Sequence, residues 1–139
     1  MDLTQSIPVG SSGTKSLVVT RDVTVARADE SMPAVFATPM MILLMEMTAG
    51  EVLQQYLPPG WISVGVVVNV KHLAATPVGA TVVATAEVIA VGEGTVTFAV
   101  EAYDGFEKIG EGTHVRAPVE MERFLKRVRR KEVKGETEE

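Results

Sequence analysis

One acidic residue stands inside an otherwise apolar segment, and it is the first candidate for chemistry in this sequence. Glu46 lies in the stretch VFATPMMILLMEMTAG, residues 35–50, in which no other side chain is charged. A carboxylate in such surroundings can act as a base or a nucleophile. It can also be a structural acid that backbone donors or a lysine hold in place. The residues by themselves leave both roles open.

Two more side chains of chemical interest stand at the ends of predicted elements. His72 follows the strand-like run SVGVVVNVK, at a strand end from which side chains commonly reach a cleft, although a lone histidine there is more often a surface residue. Thr38 precedes Pro39, and this pair predicts the start of a helix, because a Thr hydroxyl can cap free backbone N–H groups. A hydroxyl beside a helix N-terminus can also stabilise an oxyanion, and both roles remain open for Thr38.

The elements that must position these residues follow from the sequence pattern. A helix is predicted from Pro39 to about Tyr56, where PPG at 58–60 ends it. β-Branched and alternating segments predict strands, and the glycine turns at 92–94 and 104–105 favour antiparallel pairing. The predicted strands are 16–25, 61–72, 80–91, 95–103 and 107–119, and a short amphipathic helix is predicted for 120–131.

The predicted long helix has almost no polar face, so other parts of the protein must surround it. An antiparallel β-sheet wrapped around one long central helix meets that requirement. We therefore predict an α+β fold with the order β-α-β-β-β-β and a short C-terminal helix. The expected organisation is a lead-in at 1–14, a single domain at 15–131 and a charged tail at 132–139.

Composition narrows the function classes. The chain has 139 residues, 46% of them hydrophobic, which suits one domain with a substantial core. It has no cysteine, so thiol chemistry and disulfides are excluded. The net charge of −5 argues against nucleic-acid binding, and no apolar run approaches the roughly 20 residues of a membrane span. We expect a soluble, cytoplasmic protein that binds neither nucleic acid nor membrane.

Four short stretches carry a resemblance to a known family. They are VFAT at 35–38, LME at 44–46, HLAATP at 72–77 and IGEGTH at 109–114. In this order and spacing they resemble the fluoroacetyl-CoA-thioesterase-like branch of hotdog proteins. The resemblance implies a hotdog fold, a homodimer or higher oligomer, and an acyl-CoA substrate bound between protomers. The residues themselves indicate no metal and no cofactor, because there is no HExxH motif or P-loop and the two histidines lie 42 positions apart; CoA would be part of the substrate.

The resemblance also assigns roles to the three candidates. In that family the matching Glu, Thr and His form the active-site group, which corresponds here to Glu46, Thr38 and His72. Glu46 would activate water or attack the thioester carbonyl itself. His72 would protonate the departing CoA thiolate or, as imidazolium, stabilise the charge of Glu46. The expected reaction is hydrolysis of an acyl-CoA thioester.

A further set of residues is expected near the substrate, namely Met32, Phe36, Gly65 and Arg116. Gly65 interrupts an apolar strand, which indicates a bulge or a close backbone approach. His114 and Arg116 share one face of the last predicted strand and are second-tier candidates, for which a structural or solvated role is favoured. Met32 stands where fluoroacetyl-selective members carry an aromatic lid residue, so a short or medium acyl-CoA of ordinary metabolism is the better substrate prediction.

The basic residues at 126–131 could meet CoA phosphates, but interleaved charges more often mark a solvated helix face, so they are not assigned to the site. A non-catalytic acyl-CoA binding module remains an alternative that would not need Glu46. An enoyl-CoA hydratase is less favoured, because the short motif with adjacent Asp and His that those enzymes carry is absent.

Overall fold

A five-stranded antiparallel sheet is the frame of the computed structural model, which describes residues 3–133. The strands are β1 (Ser12–Val18), β2 (Trp61–His72), β3 (Thr81–Val91), β4 (Val96–Tyr103) and β5 (Lys108–Glu120). Their order across the sheet is β1-β3-β4-β5-β2, and each neighbouring pair is antiparallel. The strand that ends at His72 is therefore an edge of the sheet.

One long helix crosses a face of this sheet. The helices are α1 (Val25–Ala28), α2 (Thr38–Gln54) and α3 (Met121–Arg129), with 3-10 turns at Leu3–Ser6 and Arg21–Val23. The long helix, α2, contacts every strand of the sheet. Within residues 3–133, no helix combines the length and the apolar composition that crossing a membrane requires.

The core lies between α2 and the sheet. Met41, Leu44, Met45, Thr48 and Val52 are buried at helical spacing along one side of α2. Alternate residues of two central strands face the same core, and they are Val82, Ala84, Ala86, Val88, Val96, Phe98, Val100 and Ala102. The alanines leave the room that the larger helix side chains fill.

The opposite side of α2 stays open in the single chain. Leu43 and Met47 are each 44% exposed on that side. The neighbouring edge strand exposes Val66, Val67 and Val68 by 56%, 46% and 43%. The sheet therefore covers one side of the helix, and apolar side chains stay exposed on α2 and on β2 where the expectation was a fully surrounded helix.

The predicted fold class is confirmed, as is the element order around α2. The bounds of β2 coincide with the prediction of 61–72. The first strand was placed wrongly at 16–25, because pairing with β3 ends at Val18 opposite Thr81. Beyond that point the chain leaves the sheet: Thr24 forms only an isolated antiparallel bridge with Phe36, and it closes a turn by donating its hydroxyl proton to the carbonyl of Arg21 at 2.8 Å.

Two boundaries also differ from the prediction. The first strand begins at Ser12, inside the segment 1–14 that was assigned as a lead-in, and a 3-10 turn precedes it at Leu3–Ser6. The long helix ends at Gln54 rather than near Tyr56. Of the predicted tail at 132–139, residues after 133 lie outside the described part of the chain.

Candidate active site

Glu46 lies on the open side of α2 and faces the backbone of β2. A Cβ atom added to Gly65 would lie 2.5 Å from Oε2 of Glu46, closer than real side-chain atoms approach. The carboxylate therefore occupies the space that a side chain at position 65 would need. The β2–β5 register shifts between Gly65 and Val67, so the close approach and the bulge expected from the sequence both occur here.

Arg116 is held rigidly beside this carboxylate. Its Nε donates to Oγ of Ser63 and its Nη2 donates to the Ser63 carbonyl, each at 2.8 Å. Its Nη1 lies 3.9 Å from Oε2 of Glu46, and the arginine side chain is only 12% exposed. Burial lowers the pKa of Arg116, and the charge of Glu46 opposes that shift. The guanidinium places a fixed positive charge next to Glu46.

His114 supports the arginine from the interior. It is 1% exposed, with Nδ1 lying 2.8 Å from the Val67 carbonyl and Nε2 lying 3.1 Å from Nη1 of Arg116. A guanidinium only donates, so Nε2 accepts and the proton sits on Nδ1, which donates to the carbonyl. Burial lowers the pKa of His114, as does the charge of Arg116, while the Val67 carbonyl and Glu46 act in the opposite direction. The imidazole is thus a neutral support for Arg116.

These residues border an open groove, here called the glutamate groove, with a volume of about 520 Å³. It is lined by Leu43, Glu46, Met47, Gly50, Glu51, Gln54, Ile62, Ser63 and Arg116. The helix contributes apolar side chains together with Glu46, Glu51 and Gln54, and the two strands contribute Ser63 and Arg116. Such a groove can accept a chain with an apolar body and one reacting polar centre.

Thr38 and His72 form a second polar group at the N-terminal end of α2. The Thr38 hydroxyl lies 2.7 Å from Nδ1 of His72. The Nε2 atom of His72 is buried without a hydrogen-bond partner among the described residues. Burial lowers the pKa of His72, and the backbone of Ala74 opposes the shift. The imidazole is therefore neutral near pH 7, which argues against the imidazolium role considered from the sequence.

This pair opens onto a separate depression of about 390 Å³, here called the histidine groove. It is lined by Val25, Val35, Phe36, Thr38, His72, Leu73, Ala74 and Ala75. Phe36 is a wall of this groove and is otherwise part of the core, with 1% of its surface exposed. Met32 is 45% exposed and is not among the lining residues of either groove.

The helix-cap role predicted for Thr38 is wrong. Ala37 is the capping residue of α2, no side chain makes a cap hydrogen bond there, and Thr38 is already the first helical residue. The backbone N–H groups of Met40 and Met41 instead bond to the carbonyl of Ala37. The hydroxyl of Thr38 is consequently available for His72.

A buried hydrogen-bond relay fixes the segments that carry this pair. The N–H of Phe36 donates to the carbonyl of Thr76 at 2.8 Å, and the Thr76 hydroxyl donates to Oδ2 of Asp104 at 2.9 Å. Oδ1 of Asp104 accepts from the N–H groups of Phe106 and Glu107. Burial raises the pKa of Asp104, but these hydrogen bonds outweigh it and the net shift is downward. The relay joins the approach to α2, the loop after β2 and the β4–β5 turn.

The two polar groups are apart within one chain. Glu46 follows Thr38 by eight residues of helix, which corresponds to about 12 Å. Gly65 precedes His72 by seven residues of strand, or about 23 Å. The structure thus brings Thr38 to His72, and Glu46 to Arg116, but it does not unite the two groups in a single chain. Among residues 3–133, no cluster of three or more His, Asp or Glu side chains could hold a metal ion.

Comparison with known proteins identifies a family. The family model described as FlK, fluoroacetyl-CoA-specific thioesterase, matches residues 19–122. A fluoroacetyl-CoA thioesterase of Streptantibioticus cattleyicolor is 44% identical over 103 residues, which are 74% of this chain and 74% of that protein.

Solved structures agree with this match. The chain is similar to the fluoroacetyl-CoA thioesterase FlK with a TM-score of 0.87 and 38% identity, over 92% of this chain and 99% of that one. It is also similar to a hot-dog-like protein of Thermanaerovibrio acidaminovorans, with a TM-score of 0.85 and 28% identity over 96% and 100% of the two chains.

Proposed function

Because the chain belongs to the fluoroacetyl-CoA-specific thioesterase family and is a thioester hydrolase, we propose that it hydrolyses a short or medium acyl-CoA with Glu46, Thr38 and His72 as its catalytic residues. The observation that carries this proposal is the placement of Glu46 against the bare backbone of Gly65, with Arg116 fixed beside it. A carboxylate so placed can be reached by the small carbonyl end of a thioester.

Glu46 acts as the base or the nucleophile of the reaction. In the first route it takes a proton from the attacking water, and in the second it attacks the thioester carbonyl and water resolves the acyl intermediate. Both routes need a charged carboxylate. Arg116 is held by Ser63 and His114, so its charge is fixed in advance rather than ordered by the substrate.

Thr38 and His72 assist at the carbonyl and the leaving group. When the Thr38 hydroxyl donates to Nδ1 of His72, the imidazole proton lies on Nε2, the atom that has no partner among the described residues. That N–H can then donate to the carbonyl oxygen or to the departing CoA sulfur. A neutral imidazole, favoured by its lowered pKa, suits this donor role.

A homodimer unites the two groups in this proposal. β2 is an edge strand with exposed valines, which makes it suited to pairing with a second strand, and Leu43 and Met47 on α2 are also exposed. If two copies pair β2 antiparallel about a two-fold axis, the Gly65 half of one strand faces the His72 end of the other. The glutamate groove of one copy then meets the histidine groove of the second, and acyl-CoA lies between protomers.

The acyl group is proposed to contact Gly65 and Arg116 on one side and Phe36 and Met32 on the other. Met32, unlike an aromatic lid residue, is flexible and adapts to chains of different length. This favours ordinary short or medium acyl groups over strict selection of fluoroacetyl-CoA. We also propose a cytoplasmic location, consistent with a chain that has no cysteine.

Thiol release from a panel of acyl-CoA thioesters, with fluoroacetyl-CoA included, tests the proposal. Glu46→Gln keeps the shape of the side chain without its charge, so turnover should be lost while acyl-CoA still binds. Glu51→Gln is the matched control, since Glu51 lies on the same helix but pairs with Lys15 at 2.8 Å. Full turnover in Glu46→Gln would refute the catalytic assignment, and binding without thiol release by the wild type would favour an acyl-CoA binding module.

A further inference from the structure

A third groove lies where the start of β2, the end of β5 and α3 meet. It has a volume of about 230 Å³ and is lined by Trp61, Pro118, Val119, Glu120, Arg123, Phe124 and Arg127. It shares no lining residue with the glutamate groove or the histidine groove. The reaction proposed above gives it no role.

This groove continues the surface that carries Gly65. Trp61, Ser63 and Gly65 alternate along β2, so they point to the same face of the sheet, and the register shift begins only after Gly65. Their partners across β5 are Glu120, Pro118 and Arg116. Trp61 precedes Gly65 by four positions along the strand, a distance of about 13 Å. The groove therefore lies on the same face of the β2–β5 pair as the site of Glu46, but further toward the start of β2.

The groove combines flat apolar surfaces with positive charge. Trp61 and Phe124 are both partly buried, which holds their rings while leaving part of each accessible. Arg123 and Arg127 are one helical turn apart on α3 and exposed, and among the described residues neither takes part in an ion pair. In a chain of net charge −5, this is a local concentration of cations.

Aromatic rings next to arginines suit a phosphorylated nucleotide. A base can stack on an aromatic side chain, and guanidinium groups bind phosphate through paired, charge-assisted hydrogen bonds. The acidic lining residue, Glu120, can accept a hydrogen bond from an exocyclic amino group or a ribose hydroxyl. Apolar ligands and metal cations fit this combination less well.

We propose that this groove binds the phosphoadenosine end of the CoA thioester, with the pantetheine arm lying along Ser63 and Pro118 toward Glu46. This inference rests on the proposed function, since it names a subsite for the same substrate. Trp61 and Phe124 receive the adenine ring, and Arg123 and Arg127 receive the phosphates.

The test compares substrates with and without the nucleotide. In the double variant Arg123→Gln/Arg127→Gln, KM for acyl-CoA and Kd for free CoA should rise about tenfold, the effect of losing roughly one charge-assisted hydrogen bond. KM for the matching acyl-pantetheine thioester and kcat for both substrates should stay at wild-type values. Trp61→Leu should likewise raise KM for acyl-CoA and Kd for free CoA without changing KM for the acyl-pantetheine thioester.

The control is Arg129→Gln/Arg130→Gln, which removes the same charge from residues outside the groove. The proposal would be overturned if both double variants weakened CoA binding equally. It would also be overturned if KM and Kd were unchanged in Arg123→Gln/Arg127→Gln. Calorimetric titration of free CoA keeps the two proposals separable because it needs no turnover. If the wild type hydrolyses no thioester, the catalytic function is refuted. If the groove variant nevertheless binds CoA more weakly than the wild type, the nucleotide subsite stands.

Discussion

Oε2 of Glu46 lies where the side chain of residue 65 would begin, 2.5 Å from the position of a Cβ built on Gly65. Helix α2 and edge strand β2 can approach this closely at the site only because residue 65 is glycine. The same added Cβ would lie 3.2 Å from Cε1 of His114 and 3.7 Å from Nη1 of Arg116. Gly65 is thus the point at which the carboxylate, the arginine and its supporting imidazole converge.

Replacing Gly65 by alanine should therefore displace the Glu46 carboxylate. We expect Gly65→Ala to fold and to lose about 10- to 1000-fold in kcat, comparable with losing one preorganised group in an active site. The measurement is thiol release together with the thermal midpoint. A variant with wild-type kcat would show that the position of Glu46 is not critical.

Gly50→Ala is the matched substitution on the facing helix. Its Cβ would lie 3.5 Å from Cζ of Arg116, an ordinary contact. We expect a far smaller loss of activity than in Gly65→Ala, and a gain in stability of up to about 1 kcal/mol from replacing a helical glycine. Equal losses in the two variants would indicate general crowding of the groove instead of displacement of Glu46.

Much of this arrangement was predictable from the sequence because it depends on local patterns. The alternating, β-branched run before His72 predicted β2 to the residue, and the apolar segment 35–50 predicted a helix that carries Glu46 within it. Gly65 was predicted as a bulge or a close approach, and it is both. Such features follow from backbone preferences that act over a few neighbouring residues.

The errors and omissions depend on pairing between distant segments. The cap assigned to Thr38 was wrong because the competing partner, His72, is 34 positions away. Ser63 gave no signal, although it fixes Arg116 from 53 positions away. The sequence did indicate that His114 lies on the same strand face as Arg116. It could not indicate that His114 is buried in the tautomer that supports Arg116, because that depends on tertiary contacts.

The lowered pKa values of both histidines predict a pH-dependent stability. An unfolded histidine has a pKa near 6.5, so as the pH falls below that value the unfolded chain takes up protons that the folded chain resists. For buried His114 the free energy of unfolding should fall by up to about 1.4 kcal/mol per pH unit. The loss continues until the pH reaches the folded pKa.

Urea unfolding between about pH 6.5 and pH 5 measures this slope. Asp29, Asp104 and Glu101 also have lowered pKa values, but their ordinary values of 3.8 and 4.5 place their effect at lower pH. His114→Gln should therefore have a shallower slope in this window than the wild type. Identical slopes would mean that His114 is protonated equally in both states.

Two inactive variants should complement each other if the site lies between protomers. In a heterodimer of Glu46→Gln and His72→Ala, one site combines both defects and the other combines the two intact groups. With random assembly, co-expressed chains should recover about a quarter of wild-type activity. Each variant alone is the control, and absence of recovery in isolated heterodimers would place the two groups in the same chain.

The buried relay from Asp104 should be required for the geometry of Thr38 and His72. Thr76→Val removes the hydroxyl that donates to Oδ2 of Asp104, and leaving a buried acceptor without its donor costs about 1–3 kcal/mol. We expect a lower thermal midpoint and a lower kcat, both restored in Thr76→Ser. A loss of stability with unchanged kcat would limit the relay to a structural role.

The hydroxyl of Thr38 contacts His72 and makes no cap hydrogen bond. Three substitutions separate the two roles. Ser keeps the hydroxyl, Asn keeps a side chain that caps helices well, and Val keeps only the shape. Because Thr38 is exposed and does not cap α2, all three variants should have thermal midpoints close to the wild type. Ser should remain substantially active, whereas Asn and Val should lose about 10- to 1000-fold in kcat/KM.

A capping role for Thr38 would give a different pattern. In that case Val would lose about 1 kcal/mol of stability, while Asn would match the wild type in both stability and turnover. The pH profile adds a second criterion, because Nδ1 of His72 loses its hydroxyl partner in Val and keeps it in Ser. The acidic limb of the activity profile should therefore shift in Thr38→Val and not in Thr38→Ser. Comparable kcat/KM values for Asn and wild type would refute the catalytic role of Thr38 and leave Glu46 and His72 to carry the reaction.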